Sequence, residues 1–366
     1  MNSSTTISLT QKQQISPRVA LVAPSLDILG GQGVQASSLA NALRQEGFDV
    51  SFIPVNPRFP AGISWLRRVP VVRTIINQLI YIPSLYKIRH VDVVHAFSAS
   101  YWSFLLSPLP AILAARLFGK LAILNYHSGE ASDHLANWGL RVHPWLRQAD
   151  EIVVPSSYLS DVFAHYEYKT RVIRNFVDLA SFRFRERKNL CPRLLSARNL
   201  ESYYCVGNTL KAFALIRKRW PEATLTIAGY GSEENQLRGW VKKHELDGVS
   251  FVGRIEQEIM PALYDQADIF INSSVLDNQP VSILEAFAAG LNVISTPAGD
   301  IPAMVKDRKT GYIVPYDDPQ AIATAVDRLL EEPGQARLMA RRACDEVKKY
   351  TWPQVSREWS RLYYQV

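Results

Sequence analysis

The sequence predicts an α/β chain made of two halves, each a parallel sheet with helices on its faces. Three observations predict this. Short, nearly all-apolar runs recur: RVALVAP at 18–24, VDVVHA at 91–96, EIVVP at 151–155, ATLTIA at 223–228 and IFINS at 269–273. Runs of this length with no polar alternation suit strands buried on both faces. Stretches with helical spacing lie between them, as a strand–helix alternation requires. The alternation also fills 366 residues, enough for two domains.

Residues 1–16 are polar and rich in Ser, Thr and Gln, without an apolar signal core, and read as a disordered leader. The first strand, 18–24, runs into Leu29, Gly30, Gly31, Gln32 and Gly33, a glycine-rich turn before a helix at 34–45. Leu39, Ala40 and Leu43 keep that helix's apolar spacing. The turn has neither a dinucleotide fingerprint nor a phosphate-loop lysine, and it suits a tight connection as well as a ligand-facing loop. A second strand lies at 49–54.

The segment 58–89 mixes Arg58, Arg67, Arg68, Arg73, Lys87 and Arg89 with Trp65, Leu66, Val71, Ile75, Leu79 and Tyr81. Basic and apolar groups on one helical segment suit an anionic membrane surface, and equally a core-packing helix with a basic outer face. The run 104–126 is apolar but holds Pro108, Pro110, Arg116, Gly119 and Lys120, so a helix, a Gly-Lys turn and a strand explain it better than a span. That strand, 121–125, leads to His127, at a carboxyl end where sites of parallel sheets collect, although a structural histidine fits there too. Glu130, Asp133 and His134 follow closely. Ser156 and Ser157 open a helix after the next strand, and RVIRNFVD at 171–178 leads to RFRERK at 183–188, a charged linker-like run.

The second half opens on a strand at 194–197, followed by Arg198. The strand at 223–228 leads to Gly229, Tyr230 and Gly231, and that at 249–252 to Gly253 and Arg254. A helix at 261–267 precedes the central unit. The strand at 269–273, the polar turn 274–279 and a helix starting with Pro280, Val281 and Ser282 follow one another. Proline fits the first turn of a helix, where its missing N–H leaves nothing unpaired. Glu285 lies about 7 Å along that helix at about 1.5 Å per residue. Gly290 is its natural C-terminal cap. Strands at 292–296 and 310–315 follow, then helices at 321–330 and 352–364.

The helix start presents free N–H groups and a positive dipole end, suited to phosphate. Asp277 ahead of it and Glu285 within it accept hydrogen bonds from hydroxyls. Two polyols joined through a diphosphate would meet both acids, and a nucleotide sugar has that shape.

Asp277, Pro280, Leu284, Glu285, Ala286, Ala289 and Gly290 resemble the Glu-x7-Glu signature of the retaining GT-B glycosyltransferases of family 4, with Asp in place of the first acid. The resemblance implies a GT-B fold: two Rossmann-like domains with parallel sheets facing an interdomain cleft. It implies an acceptor domain at 17–185, a donor domain at 186–351 and a last helix, 352–366, packing back on the first domain. Asp277 would meet the donor sugar and Glu285 the ribose. His127 and Arg198 would serve catalysis with Asp277. Gly31, Gly33, Gly229, Gly231, Gly253, Arg254, Pro280, Val281, Ser282, Ile283 and Leu284 would line the donor site beside Arg198, Asp277 and Glu285. Glu130, Asp133 and His134 would face the acceptor. Relatives carry a lysine five residues after the arginine, where this chain has Tyr203; Asn208 and Lys211 are the nearby candidates to compensate.

The expected reaction is transfer of a sugar from a UDP- or GDP-linked donor to the hydroxyl of a sugar or lipid-linked acceptor, with retention and in glycan or glycolipid synthesis. No Asp-x-Asp motif is present, so no metal or other cofactor is expected. A nucleotide-sugar epimerase on the same fold and a non-catalytic binding or scaffold protein are the rival classes. A phosphorylase would need a pyridoxal-phosphate lysine, for which no motif is evident. Net charge is +7, without a recognised nucleic-acid motif, so nucleic acid is not expected as a partner. Three cysteines without metal-ligand spacing point to a reducing cytoplasm, with a peripheral membrane setting open through 58–89.

Overall fold

In a computed structural model that describes residues 16–25 and 31–365, the apolar runs form two wholly parallel six-stranded sheets. The proposed leader up to residue 15, and Leu29 and Gly30 of the glycine turn, lie outside the described residues. The first sheet holds β1 (Val19–Ala23), β2 (Val50–Pro54), β3 (Val93–Ser98), β4 (Leu121–Tyr126), β5 (Glu151–Val154) and β6 (Arg171–Val172) in the order β2-β1-β3-β4-β5-β6. The second holds β7 (Arg193–Ala197), β8 (Thr224–Ala228), β9 (Val249–Gly253), β10 (Ile269–Asn272), β11 (Asn292–Ser295) and β12 (Tyr312–Ile313) in the order β12-β11-β10-β7-β8-β9. Strand order reverses between β1 and β3, and again between β7 and β10. Those are the switch points where doubly wound sheets bind ligands.

Side chains alternate across each strand. Ala20, Val22, Val94 and Ala96 pack under one helical layer of the first sheet, and Val19, Leu21, Val93 and Phe97 under the other. The second sheet divides likewise, with Leu194, Ile227 and Ile271 on one face and Leu195, Phe270 and Val293 on the other.

The last helix, Trp352–Tyr363, places Val355, Trp359, Leu362 and Tyr363 on one stripe. That stripe is buried against Val19, Leu21 and Phe97 of the first sheet. Each such side chain stabilises by roughly 1.5–3 kcal/mol, enough to hold the chain's end on the opposite half from the strands that precede it.

Two local expectations differ from what forms. Gly31, Gln32 and Gly33 do not turn ahead of a helix: they are its first turn, since the helix runs Gly31–Gln45. Side-chain anchors hold this glycine-poor-in-propensity turn helical. Gln32 Nε2 donates to the Ser98 carbonyl at 3.0 Å, and Gln35 bonds both the N–H and the carbonyl of Phe176 at 3.1 and 2.9 Å. RFRERK is not a loose linker either. Arg187 is buried, and its Nε reaches Asp268 at 2.8 Å. Arg185 and Arg193 reach the same carboxylate at 3.1 and 2.9 Å. One fully buried acid on β10's threshold therefore ties the crossing segment to the second half.

The segment after β2 forms a 3₁₀ stretch, Ala61–Arg68, the helix Pro70–Ser84 and a second 3₁₀ stretch, Leu85–His90. Tyr81, Leu85 and Ile88 enter the core, but Trp65, Val71, Ile75 and Leu79 stand well exposed. The run 104–126 resolves into the end of one helix, a second helix Pro108–Leu117 and β4. Among the described residues, no helix is long and apolar enough to cross a membrane.

Candidate active site

The two switch points face one another across a cleft of about 420 Å³. Each wall is built from strand ends. The carboxyl end of β7 delivers Arg198, and that of β10 runs through a polar turn to Asp277 and then the helix Val281–Ala288. From the first half, the end of β4 delivers His127 to Glu130, the end of β3 delivers Ala99, and the helix start delivers Gly31 and Gln32.

Arg198 is the hub. Its Nη2 forms an ion pair with Asp277 Oδ2, its Nη1 donates to Ser282 Oγ at 3.1 Å, and its guanidinium lies over the Tyr204 ring at 4.2 Å. Both charged side chains of the pair are about nine-tenths buried. The Arg198 Nε has no hydrogen-bond partner among the described residues. Backbone shape makes room for the acid: a Cβ on Gly129, across the cleft, would come within 2.9 Å of the Asp277 carbonyl. Gly299, at φ +56°, would collide with the same carbonyl from behind.

Glu285 is buried one turn into the helix. The Tyr264 hydroxyl donates to its Oε2 at 2.8 Å and Gln257 Nε2 lies 3.5 Å from Oε1. Burial pushes its pKa up to about 7, against these hydrogen bonds, which favour the charged form. His127 stacks on Phe97 with ring centroids 5.1 Å apart. Burial pushes its pKa down to about 3, so the imidazole is neutral at physiological pH, with an enclosed Nε2 that has no partner among the described residues.

The turn 277–280 also joins the two halves. Asn175 donates its backbone N–H to Gln279 Oε1 at 2.6 Å and its Nδ2 to the Gln279 carbonyl at 2.9 Å. Ser156 Oγ donates to Asn278 Oδ1, and Asn278 Nδ2 lies 3.5 Å from the His127 carbonyl. Sequence reasoning did not single out Asn175, Asn278 or Gln279 for this, nor Tyr204, Gln257 and Tyr264. Asn278 and Gln279 had membership of the polar turn as a signal and Asn175 that of the RNFV run; Tyr204, Gln257 and Tyr264 had none.

The structure gathers Gly31, His127, Glu130, Arg198, Gly229, Arg254, Asp277, Pro280, Val281, Ser282 and Glu285 on the cleft lining. Others fall elsewhere. Ile283 and Leu284 point inward and are fully buried in the core, because a helix packed on a sheet must give that face to the apolar layer. Gly33, Gly231 and Gly253 are not on the cleft lining. Asp133 bonds the Tyr101 hydroxyl and, at 2.6 Å, Asn137 Nδ2, away from the cleft. His134 needs correcting as an acceptor-side residue: it is fully buried, and its Nδ1 meets the Tyr126 hydroxyl at 2.8 Å inside the first core. Ala131, His134 and Leu135 lie at i, i+3 and i+4 on the face that the helix Ala131–Asn137 gives to the core, whereas Glu130 stands ahead of that helix.

Tyr203, half-exposed, lines the cleft at the position where the resemblance led one to expect lysine, and burial pushes its hydroxyl's pKa up to about 12, so it brings no charge. Neither candidate substitute takes that place. Asn208 is buried on Asp317 at 2.7 Å, and Lys211 is exposed outside the lining.

Comparison with known proteins gives two family matches that meet end to end. Residues 29–181 match the model described as Glycosyltransferase Family 4, and 181–346 the model described as Glycosyl transferases group 1. Glycogen synthase of Mycobacterium tuberculosis is 29% identical over 291 residues, covering 74% of this chain and 68% of its own length. Phosphatidyl-myo-inositol mannosyltransferase of Mycolicibacterium smegmatis is 24% identical over 94% of this chain and 93% of its own. In three dimensions, sucrose-phosphate synthase of Thermosynechococcus elongatus superimposes with a TM-score of 0.79 at 21% identity, covering 95% of this chain and 98% of that one. Anabaena HepE in complex with UDP and glucose superimposes with a TM-score of 0.74 at 15% identity, over 96% and 100%.

Proposed function

The chain belongs to the group 1, family 4 glycosyltransferases and has their GT-B fold, and from that premise we propose that it moves a sugar from a nucleotide-sugar donor to an acceptor hydroxyl with retention at the anomeric carbon. One observation carries the reading. Arg198, Asp277 and Glu285 stand along one helix start in the second half, and neutral His127 meets them from the first, around a single cleft.

Each group then has a task. Glu285 accepts the ribose hydroxyls. The N–H groups at the start of Val281–Ala288, with Ser282 and Arg198, take the diphosphate. Asp277 and His127 hold the sugar's hydroxyls. As the bond from the anomeric carbon to the diphosphate oxygen breaks, its electron pair goes to the diphosphate, where Arg198 and the helix start stabilise the growing charge. The acceptor oxygen bonds the same face of that carbon, and its proton passes to the departing phosphate oxygen. No covalent nucleophile is needed, and the reading invokes no metal because cation and helix dipole carry the charge. The HepE complex, with UDP and glucose in a neighbour of the same fold, supports a UDP-linked donor; a GDP-linked one fits the same geometry. Glu130 is the acceptor-side group at the cleft.

The proposal includes a peripheral seat on an anionic membrane, on the cytoplasmic side. Exposed Trp65, Val71, Ile75 and Leu79, interleaved with Arg67, Arg73, Lys87 and Arg89, support it. Core packing accounts for Tyr81 but leaves these four in water. Free Cys191, Cys205 and Cys344 thiols suit a reducing compartment.

The test is a thermal-shift and hydrolysis screen with UDP-, GDP- and ADP-sugars. Stabilisation by one donor with slow release of its nucleoside diphosphate is expected. Stabilisation by none would turn the reading towards a non-catalytic scaffold.

A further inference from the structure

The last helix of the chain touches the cleft histidine through a stack of rings. Trp359 of that helix lies 4.8 Å from His95, tilted by 30°. His95 lies 4.9 Å from Phe97 with planes only 2° apart, and Phe97 lies 5.1 Å from His127 at 24°. Trp359, His95 and Phe97 are all buried. A second contact fixes the middle of the stack: the Tyr363 hydroxyl meets His95 Nδ1 at 2.8 Å.

His95 is otherwise hard to account for. It sits in mid-strand within an apolar layer, where burial pushes its pKa down to about 3, and it is not on the cleft lining. A leucine or phenylalanine would fill that space without a desolvation cost. What imidazole adds is a polar edge that one hydroxyl can hold in a single ring orientation. Ring pairs at these separations favour defined offsets, so an orientation set at His95 constrains Phe97, and Phe97 forms the wall against which His127 lies. The Nε2 of His127 has no hydrogen-bond partner among the described residues to fix its ring.

We propose that Tyr363, Trp359, His95 and Phe97 are positioning residues that set the ring orientation of His127, so that the end of the chain, packed on the first half, aligns the group that meets the donor sugar. The proposal rests on the reading of His127 given above. It differs from plain packing in one respect: removing the Tyr363 hydroxyl, which deletes no apolar surface, alters His127 three rings away.

The experiment combines imidazole ¹⁵N NMR of the full chain with donor turnover. In Tyr363→Phe, the His127 nitrogen resonances are expected to shift and its tautomer ratio to change. Turnover of the donor found by the screen falls about tenfold, with donor KM within about twofold, as misplacement of a catalytic group requires. Trp359→Leu gives the same signature more strongly, and Trp359→Phe, which keeps a ring, restores most of it. Trp352→Leu, on the same helix but outside the stack, lowers stability and leaves the His127 resonances in place. Unmoved His127 resonances in folded Tyr363→Phe and Trp359→Leu overturn the proposal whatever the activity. So does a moved resonance with normal turnover. If the wild type turns over no donor, the reading of the reaction has failed, and the resonances alone decide whether the stack orients His127.

Discussion

Arg198 and Asp277 are paired with each other inside the cleft, so the cation expected to meet a diphosphate is already neutralised by the acid expected to meet the sugar. An incoming diphosphate competes for that guanidinium, and the sugar's hydroxyls replace the arginine at Asp277. Asp277→Asn frees Arg198 from its counter-charge without changing side-chain size. Nucleoside diphosphate affinity, measured by calorimetry with UDP, is expected to hold or rise. Turnover is expected to fall about a hundredfold, the scale of losing one well-placed polar group in a transition state. Weaker UDP binding in this variant would mean that the pair does not compete with the ligand.

Tyr203 leads to a gain-of-charge experiment. Its ring packs on Tyr204 at 4.5 Å, and it is half-exposed at the cleft, so a longer, flexible side chain fits. Tyr203→Lys adds a cation beside Arg198 where the tyrosine hydroxyl is neutral. UDP is expected to bind roughly tenfold more tightly, about 1.4 kcal/mol, with the gain shrinking as salt rises. An unchanged affinity would show that Arg198 and the helix start already satisfy the diphosphate.

What could be read from the sequence follows the range of the interactions. The strand, acid-bearing turn and helix of 269–290 form a local unit, and so Asp277, Ser282 and Glu285 were legible from spacing. The strand order was not, because a switch point is a matter of which distant strands pair. Tyr264 on Glu285 spans 21 residues and Asn175 on Gln279 spans 104, and no periodicity marks either. His134 shows the opposite failure: a histidine close to a cleft acid looked functional, yet it lies with Ala131 and Leu135 on the buried face of a helix that Glu130 only precedes. RFRERK looked solvated by composition, but Asp268 draws three of its neighbouring arginines into one buried cluster.

That cluster makes a stability prediction. Asp268 is fully buried beneath Arg185, Arg187 and Arg193 and also accepts the Cys191 N–H at 3.1 Å. Asp268→Ala leaves the buried Arg187 without its counter-charge, although it keeps the carbonyls of Ala267 and Ala289. A loss of about 3–5 kcal/mol is expected in urea denaturation, the range for breaking one side of a buried pair. A loss below about 1 kcal/mol would show that the carbonyls alone hold the strap.

Vesicle flotation tests the exposed helix. Wild-type protein is expected to float with phosphatidylglycerol vesicles and to release at high salt. Replacing Trp65, Ile75 and Leu79 together by serine removes exposed apolar surface and no core contact, and is expected to weaken binding by tenfold or more, on the order of 1.5 kcal/mol. Equal flotation with neutral vesicles, or none with either, removes the membrane from the reading.

Glu285 ties nucleotide binding to pH. Its folded pKa, about 7, lies above the ordinary 4.5 because burial disfavours the charge. The folded state therefore holds the proton more tightly than the unfolded chain. The associated stability is present in full below pH 4.5 and is lost as pH rises towards 7, up to about 3 kcal/mol. Ribose hydroxyls donate to the ionised carboxylate, so binding expels the proton. UDP affinity is expected to rise with pH up to about 7 and to flatten above it. Glu285→Gln cannot ionise: its stability should lose this slope between pH 5 and 8, and its UDP affinity should fall roughly tenfold and keep only the pH dependence that UDP's own terminal phosphate brings. Calorimetry in two buffers of different ionisation enthalpy counts the protons exchanged, and the difference between wild type and Glu285→Gln isolates the one from Glu285. Equal proton exchange by wild type and Glu285→Gln on binding UDP at pH 6 would show that Glu285 is not the ribose contact.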